Sequence, residues 1–165
     1  MSYFPMALGQ SSLFILNNVE NQNVSSTSYA DLAIAASYTT IIDSLSMTLT
    51  VDTVADRVTL PAGKFFLDGR LTAMKASIAT WGVEYTWYSW DGATRTDLGC
   101  EGREVGALAI GDPAKNEHAR AYIESDGTAV IGMRVKTINA SSVEVNDTQY
   151  QAYSGQGRLM IWGLA

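Results

Sequence analysis

Cys100 and His118 are the only cysteine and the only histidine in this chain. A thiol beside an imidazole is the minimum for nucleophilic catalysis, because the imidazole removes the thiol proton. The spacing permits such a pair. Yet Cys100 stands in Leu98-Gly-Cys-Glu-Gly102, which carries no surrounding pattern of a thiol active site. One cysteine and one histidine do not make a zinc site either. A symmetric assembly could gather copies of His118 on an axis, but a solvated loop histidine is the simpler expectation. Asp43, Asp52 and Asp56 flank strand ends, and Asp126 and Asp147 fall in turns. Such aspartates usually accept hydrogen bonds from backbone amides, and no dense Asp-x-Asp-x-Asp loop offers calcium its converging oxygens. Gly99, Gly102 and Gly106 are not followed by the Lys-Ser/Thr pair of a phosphate loop. The expectation is no enzyme, no metal and no cofactor.

Two other groups suit binding. Trp81, Tyr85, Trp87, Tyr88 and Trp90 crowd one short segment. In a strand, Val83, Tyr85 and Trp87 share one face, and Glu84, Thr86, Tyr88 and Trp90 share the other. One face must be core. Trp87, Tyr88 and Trp90 are therefore the candidate contacts for a partner subunit or a glycan, since aromatic rings dominate interfaces and also cover the apolar side of a pyranose. Packing is the weightier of these roles. The second group is Tyr3, Phe4, Met6 and Leu8 around Pro5. Chain termini are usually polar, so this apolar lead, residues 1–11, reads as an arm that anchors on a partner surface.

Composition narrows the classes. The chain has 165 residues, enough for one domain with a substantial core, taken as residues 12–165. Charged residues make up 17%, below the roughly 25% of soluble domains. A net charge of −6 excludes the basic footprint that nucleic acid requires. A single cysteine excludes an intrachain disulfide. The start, Met1-Ser-Tyr-Phe-Pro5, has neither the basic nor the apolar region of a signal peptide, and no apolar run reaches the length of a membrane-spanning helix. Synthesis in a cytoplasm and no membrane partner are expected.

Periodicity supplies the scaffold. Ser12–Asn18 is a compact apolar run that predicts a first strand, followed by a polar loop to Ser28. Residues 29–36 and 38–42 read as extended. Leu45, Met47, Leu49 and Val51 alternate with polar residues and predict a half-buried strand over 45–52. A short strand ends at Leu60, Pro61-Ala-Gly63 turns, and a long strand starts at Lys64, with Phe65, Leu67, Gly69 and Leu71 on the face opposite Phe66, Asp68 and Arg70. Asp91-Gly92 predicts a hairpin turn between 81–90 and 94–100. Residues 102–116 read as an excursion. Ala119–Glu124 and Thr128–Ile138, joined by Ser125-Asp-Gly127, predict a second hairpin. Val143–Val145 is short, and Gly157–Ala165 is a closing hydrophobic strand set inside a sheet. Turns recur throughout and no amphipathic helix is present, the pattern of an antiparallel all-β sandwich.

The run Val58-Thr-Leu-Pro-Ala-Gly-Lys-Phe-Phe-Leu-Asp-Gly-Arg-Leu71, the aromatic hairpin and the closing Arg158-Leu-Met-Ile-Trp-Gly-Leu164 resemble the C1q/TNF-like jelly rolls of bacteriophage fibre heads and capsid decoration proteins. Pro61, Gly63 and Phe65 match the Pro-x-Gly-x-Tyr/Phe step of that group. The resemblance covers roughly residues 29–165. It implies a ten-strand jelly-roll sandwich, a homotrimer packed about an aromatic and aliphatic axis, and a virion structural protein that acts by adhesion. Its partners would be its own copies and the capsid or tail proteins of a virion. The alternative it leaves open is a host-receptor or glycan-binding module at a fibre tip.

Overall fold

The computed structural model describes residues 11–16, 22–34, 38–43, 45–71, 73–74, 82–105, 115–138, 143–145 and 158–164. Among them there are fifteen strands and no helix. In chain order these are β1 (Ser11–Leu16), β2 (Gln22–Val24), β3 (Ala30–Asp31), β4 (Tyr38–Asp43), β5 (Thr50–Asp52), β6 (Arg57–Thr59), β7 (Ala62–Arg70) and β8 (Ala73–Met74). There follow β9 (Gly82–Trp90), β10 (Arg95–Val105), β11 (Lys115–Glu117), β12 (Ala119–Asp126), β13 (Val130–Thr137), β14 (Val143–Val145) and β15 (Arg158–Leu164).

All pairings are antiparallel, and the hydrogen-bonded path is β4-β1-β15-β7-β12-β10-β9-β13-β6-β5, with β11 beside β10 and β3 beside β13. It makes two layers. The first runs from β4 to β12 and the second from β10 to β5. A small sheet, β2-β14-β8, stands apart from this path. The core lies between the layers. Phe14, Leu16, Phe65, Leu67, Leu159 and Ile161 enter from the first, and Val83, Tyr85, Trp87, Ile131, Met133 and Val135 from the second. Gly69 on β7 makes room at the centre: a Cβ there would press on Trp87 Nε1 (3.2 Å) and Leu159 (3.3 Å). The Trp87 indole donates to the Ala119 carbonyl oxygen at 3.2 Å, so its one polar atom is satisfied in the core.

The layers join at β10. Its register with β9 shifts between Leu98 and Gly102, and one pair, Cys100 with Arg120, ties it to β12. Gly99 (φ +67°) turns the strand there. It also lets the β12 backbone approach, because a Cβ would lie 2.7 Å from the Ala121 Cα.

Several expectations are corrected. β12 and β13 are not a hairpin pair: β12 pairs with β7 and β13 with β9, in opposite layers, so Ser125–Gly127 crosses between sheets. Turn residues reveal where a chain reverses and not which strand it then meets. Residues 45–52 keep the expected alternation in burial, but only Thr50–Asp52 is strand, because β6 offers three partners and no more. The 102–116 excursion is overturned at both ends: Gly102–Val105 continues β10, and β11 begins at Lys115. The polar loop over 17–28 contains β2, and the described part of 29–36, residues 29–34, supplies the two-residue β3. β7 begins at Ala62, two residues early. The ten strands implied by resemblance match the ten of the continuous path, and among the described residues five short strands, β2, β3, β8, β11 and β14, lie off it. The closing strand is as expected, for β15 lies between β1 and β7.

Candidate functional site

Alternation along each strand of the first layer leaves one set of side chains facing away from the core. The strand registers then align these sets into rows. Ile42 is opposite Leu13, Leu13 opposite Trp162, Trp162 opposite Phe66, and Phe66 opposite Tyr122. The row crosses all five strands of the layer. Ile42 and Tyr122 keep 40% and 52% of their surface exposed, Phe66 and Trp162 are half-buried, and Leu13 is buried beneath its neighbours. A bulge in the β1–β4 register leaves Ile41 exposed at the edge. Exposed apolar residues scattered singly need no explanation, but a contiguous row marks an interaction surface.

The outer face of the second layer is chemically opposite. Arg95 pairs with Asp31 at 2.6 Å, and Arg57 reaches the same carboxylate at 4.0 Å. Arg134 pairs with Asp97, and Glu84 holds both Lys136 (2.9 Å) and Arg103. Aromatic rings are interleaved. Arg57 lies 3.9 Å from the centre of the Trp90 ring, and Arg134 and Lys136 lie 4.4 and 4.5 Å from that of Tyr29. Burial and a hydrogen bond to Glu101 push the Tyr29 hydroxyl well above its ordinary range. Each exposed ion pair contributes about 0–1 kcal/mol. The charged groups of this face already pair with one another, although Arg57 Nε, Arg134 Nε and the Tyr88 hydroxyl are buried without a hydrogen-bond partner, so a charged partner there would have to break ion pairs to make its own. The apolar row faces no such opposition.

The aromatic candidates separate. Trp87 is wholly buried in the core, and Tyr88 is wholly buried against Gly132 with Arg95 over its ring. Neither presents a surface to a partner or a sugar, and both are withdrawn as contacts. Of the two faces the sequence separates, the one carrying Val83, Tyr85 and Trp87 is the core face, and burial pushes the Tyr85 hydroxyl up to about 12. Trp90 is half-buried, but Arg57 covers one side of its ring and Arg95 stands 5.3 Å from its centre, where a pyranose would stack. Trp81 and the arm residues Tyr3, Phe4, Met6 and Leu8 lie outside the described residues.

Cys100 and His118 are brought to one corner without forming a catalytic pair. The thiol points to the His118 carbonyl oxygen at 3.9 Å, while the imidazole Nδ1 is 2.7 Å from Asp68 Oδ1. Thiol activation needs the ring and not the peptide oxygen. Among the described residues no three His, Cys, Asp or Glu side chains converge to hold a metal. The turn aspartates cap backbone amides: Asp52 those of Val54 and Ala55, Asp91 those of Ala93 and Thr94, and Asp126 that of Thr128.

Glu84 makes the polar face acid-sensitive. Its hydrogen bond to Lys136 holds its carboxyl below the ordinary range, with Arg103 adding to the effect and partial burial opposing it. A depressed carboxylate binds fewer protons when folded than when unfolded. Its stabilisation is therefore present above the ordinary carboxylate range and is lost as pH falls through the lowered folded value. Urea midpoints measured against pH should fall on the acid side, and Glu84→Gln should flatten part of that fall. An equally steep acid limb in the variant would remove Glu84 as its source.

Sequence reasoning missed the apolar row. Its signal lay in the alternation of the β7 segment, which sets Phe66 opposite the core face. The row itself needs registers between strands distant in sequence.

No protein-family model matches the chain, and no curated protein matches it in sequence. Solved structures do. The chain is similar to the crystal structure of murine APRIL at pH 8.0, with TM-score 0.56 and 10% identity over 94% of this chain and 100% of that one. It is similar to Eiger TNF from S. frugiperda, with TM-score 0.55 and 9% identity over 94% of this chain and 92% of that one. At such identities the likeness shows the fold alone, and the fold is that of a TNF-like antiparallel jelly roll.

Proposed function

We propose that this chain is a non-catalytic adhesion module that assembles with its own copies as a homotrimer. The observation that carries this reading is the transverse row Ile42–Leu13–Trp162–Phe66–Tyr122 on the outer face of the first layer. Burial of such surface yields roughly 25 cal/mol per Å² before ordering costs, and aromatic residues are the side chains most enriched at subunit contacts. The resemblance to trimeric jelly rolls supports three as the number. Light scattering coupled to size-exclusion chromatography tests it: a mass near three chains is expected, and a monomer at micromolar concentration ends the reading.

The setting proposed for that trimer is a virion, as a capsid decoration or a fibre tip, on the strength of the Val58–Leu71 and Arg158–Leu164 resemblance. Low charge density suits such an exterior part. The arm would supply the anchor. Because Ser11 already belongs to β1, the test deletes residues 1–10. Loss of particle binding with an unchanged oligomeric mass is expected, and undiminished binding would take the arm out of the account.

A further inference from the structure

Beyond the apolar row, the outer face of the first layer ends in a basic corner. Arg158 of β15 stands directly opposite Arg70 of β7. Two residues back along β7, Asp68 stands opposite Arg120 of β12. Like charges placed opposite one another on a sheet face repel and destabilise the pairing. All seven arginines of the chain are among the described residues. Five lie within 4.0 Å of a carboxylate; Arg70 and Arg158 do not, among the described residues. Arg70 Nε is also buried without a hydrogen-bond partner; Arg57 Nε and Arg134 Nε are too, but those two guanidiniums reach a carboxylate through their other nitrogens. A buried guanidinium N–H left unsatisfied is costly, and departures of this kind concentrate at functional sites.

Among the described residues the one carboxylate placed in the corner is already committed. Asp68 Oδ1 is 2.7 Å from His118 Nδ1 and 3.7 Å from Arg120 Nε. Among the described residues of the corner, the three arginines Arg70, Arg120 and Arg158 exceed the single carboxylate of Asp68 by two charges. This excess sits in a chain whose net charge is −6, so the rest of the molecule carries −8. We propose that the corner formed by Arg70, Arg158 and Arg120 is a binding site for a tetrahedral dianion, a phosphate or sulfate group. A dianion matches the excess charge, and guanidinium forks present paired donors to such oxygens. Arg70 stands four residues along β7 from Phe66, about 13 Å at strand rise. The site rests on one chain's residues and does not depend on the self-association reading.

The test is a titration of the full-length chain with inorganic phosphate, following the arginine Nε–H resonances. Sodium chloride at matched ionic strength is the reference. Saturable shifts are expected at Arg70 and Arg158, with Arg134 on the opposite face unmoved. Arg158 is exposed, so Arg158→Gln should keep the fold and weaken the apparent affinity about tenfold or more, the worth of a charge-assisted hydrogen bond. Lys64→Gln, on the same sheet but at the far end of β7, should leave it unchanged. A phosphomonoester arm separates sources: equal binding assigns the group carried on a larger molecule, and binding of inorganic phosphate alone assigns the free ion. Shifts that chloride reproduces, or that fail to saturate, overturn the site. So does unchanged affinity in Arg158→Gln.

Discussion

Gly99→Ala is expected to cost about 3 kcal/mol or more, the sum of left-handed backbone strain and an overpacked contact. Gly99 has φ +67°, where an L side chain is strained, and an added Cβ would collide with the Arg120 carbonyl oxygen and lie 2.7 Å from the Ala121 Cα. Both are backbone atoms of β12, so no rotamer change relieves the clash. The one registered pair that joins the two layers, Cys100 with Arg120, lies next to it. The variant must either open that junction or displace β12 from Phe65, Leu67 and their neighbours. Gly92→Ala is the matched comparison. Gly92 also has positive φ, +100°, but has nothing within 4 Å of an added Cβ. It should lose only the strain, about 1 kcal/mol. Denaturant midpoints measure both. Equal losses would show that the close approach at the corner carries no weight.

Trp162→Glu or Phe66→Glu should convert the assembly to monomer while leaving the protomer folded. Each places a carboxylate in the middle of the transverse row, opposite apolar neighbours on both flanking strands. Truncating a central aromatic anchor typically costs about 2–4 kcal/mol, roughly 30- to 700-fold per contact, and a desolvated charge adds to this. Both side chains face away from the sandwich core, so the midpoint of the isolated protomer should move little. Arg134→Glu supplies the contrast. It disrupts the ion pair with Asp97 on the other face and should leave the oligomeric mass unchanged. Scattering mass and far-UV circular dichroism together decide the matter. A Trp162→Glu protein that keeps its assembled mass would place the self-association surface elsewhere.

These two predictions rest on information of different kinds. The glycines of β10 are visible in the sequence, but a Gly-Cys-Glu-Gly run reads equally well as a loop. The same holds for the two ends of 102–116, where small and acidic residues suggested irregular chain and Gly102–Val105 and Lys115–Asn116 belong to β10 and β11 instead. Local composition describes what a segment tolerates. A strand partner across the sheet can still impose order on it, as β9 does along Gly102–Val105. The alternation at 45–52 errs in the other direction. It correctly divides buried from exposed side chains, yet most of the segment has no ladder, since a face preference does not create a neighbour to bond with.

Within a strand, the chain's own pattern was sufficient. Period-two spacing put Tyr85 with Trp87 on one face and Phe66 with Asp68 on the face opposite Phe65 and Leu67, because successive side chains on an extended backbone must point to opposite sides, and the hydrophobic closing run marked a strand within the sheet; which face turned inward was decided by packing. The absence of amphipathic helical spacing was likewise enough for an all-β sandwich. Registers between distant strands were beyond it. They alone set Trp162 beside Phe66, faced Arg158 against Arg70, sent β12 and β13 to different layers, and hid Tyr88 on the face where a ligand contact was expected. Alternation is a property of one backbone and is written residue by residue. Register is a property of two, chosen by which whole arrangement buries the most apolar surface with its backbone groups paired.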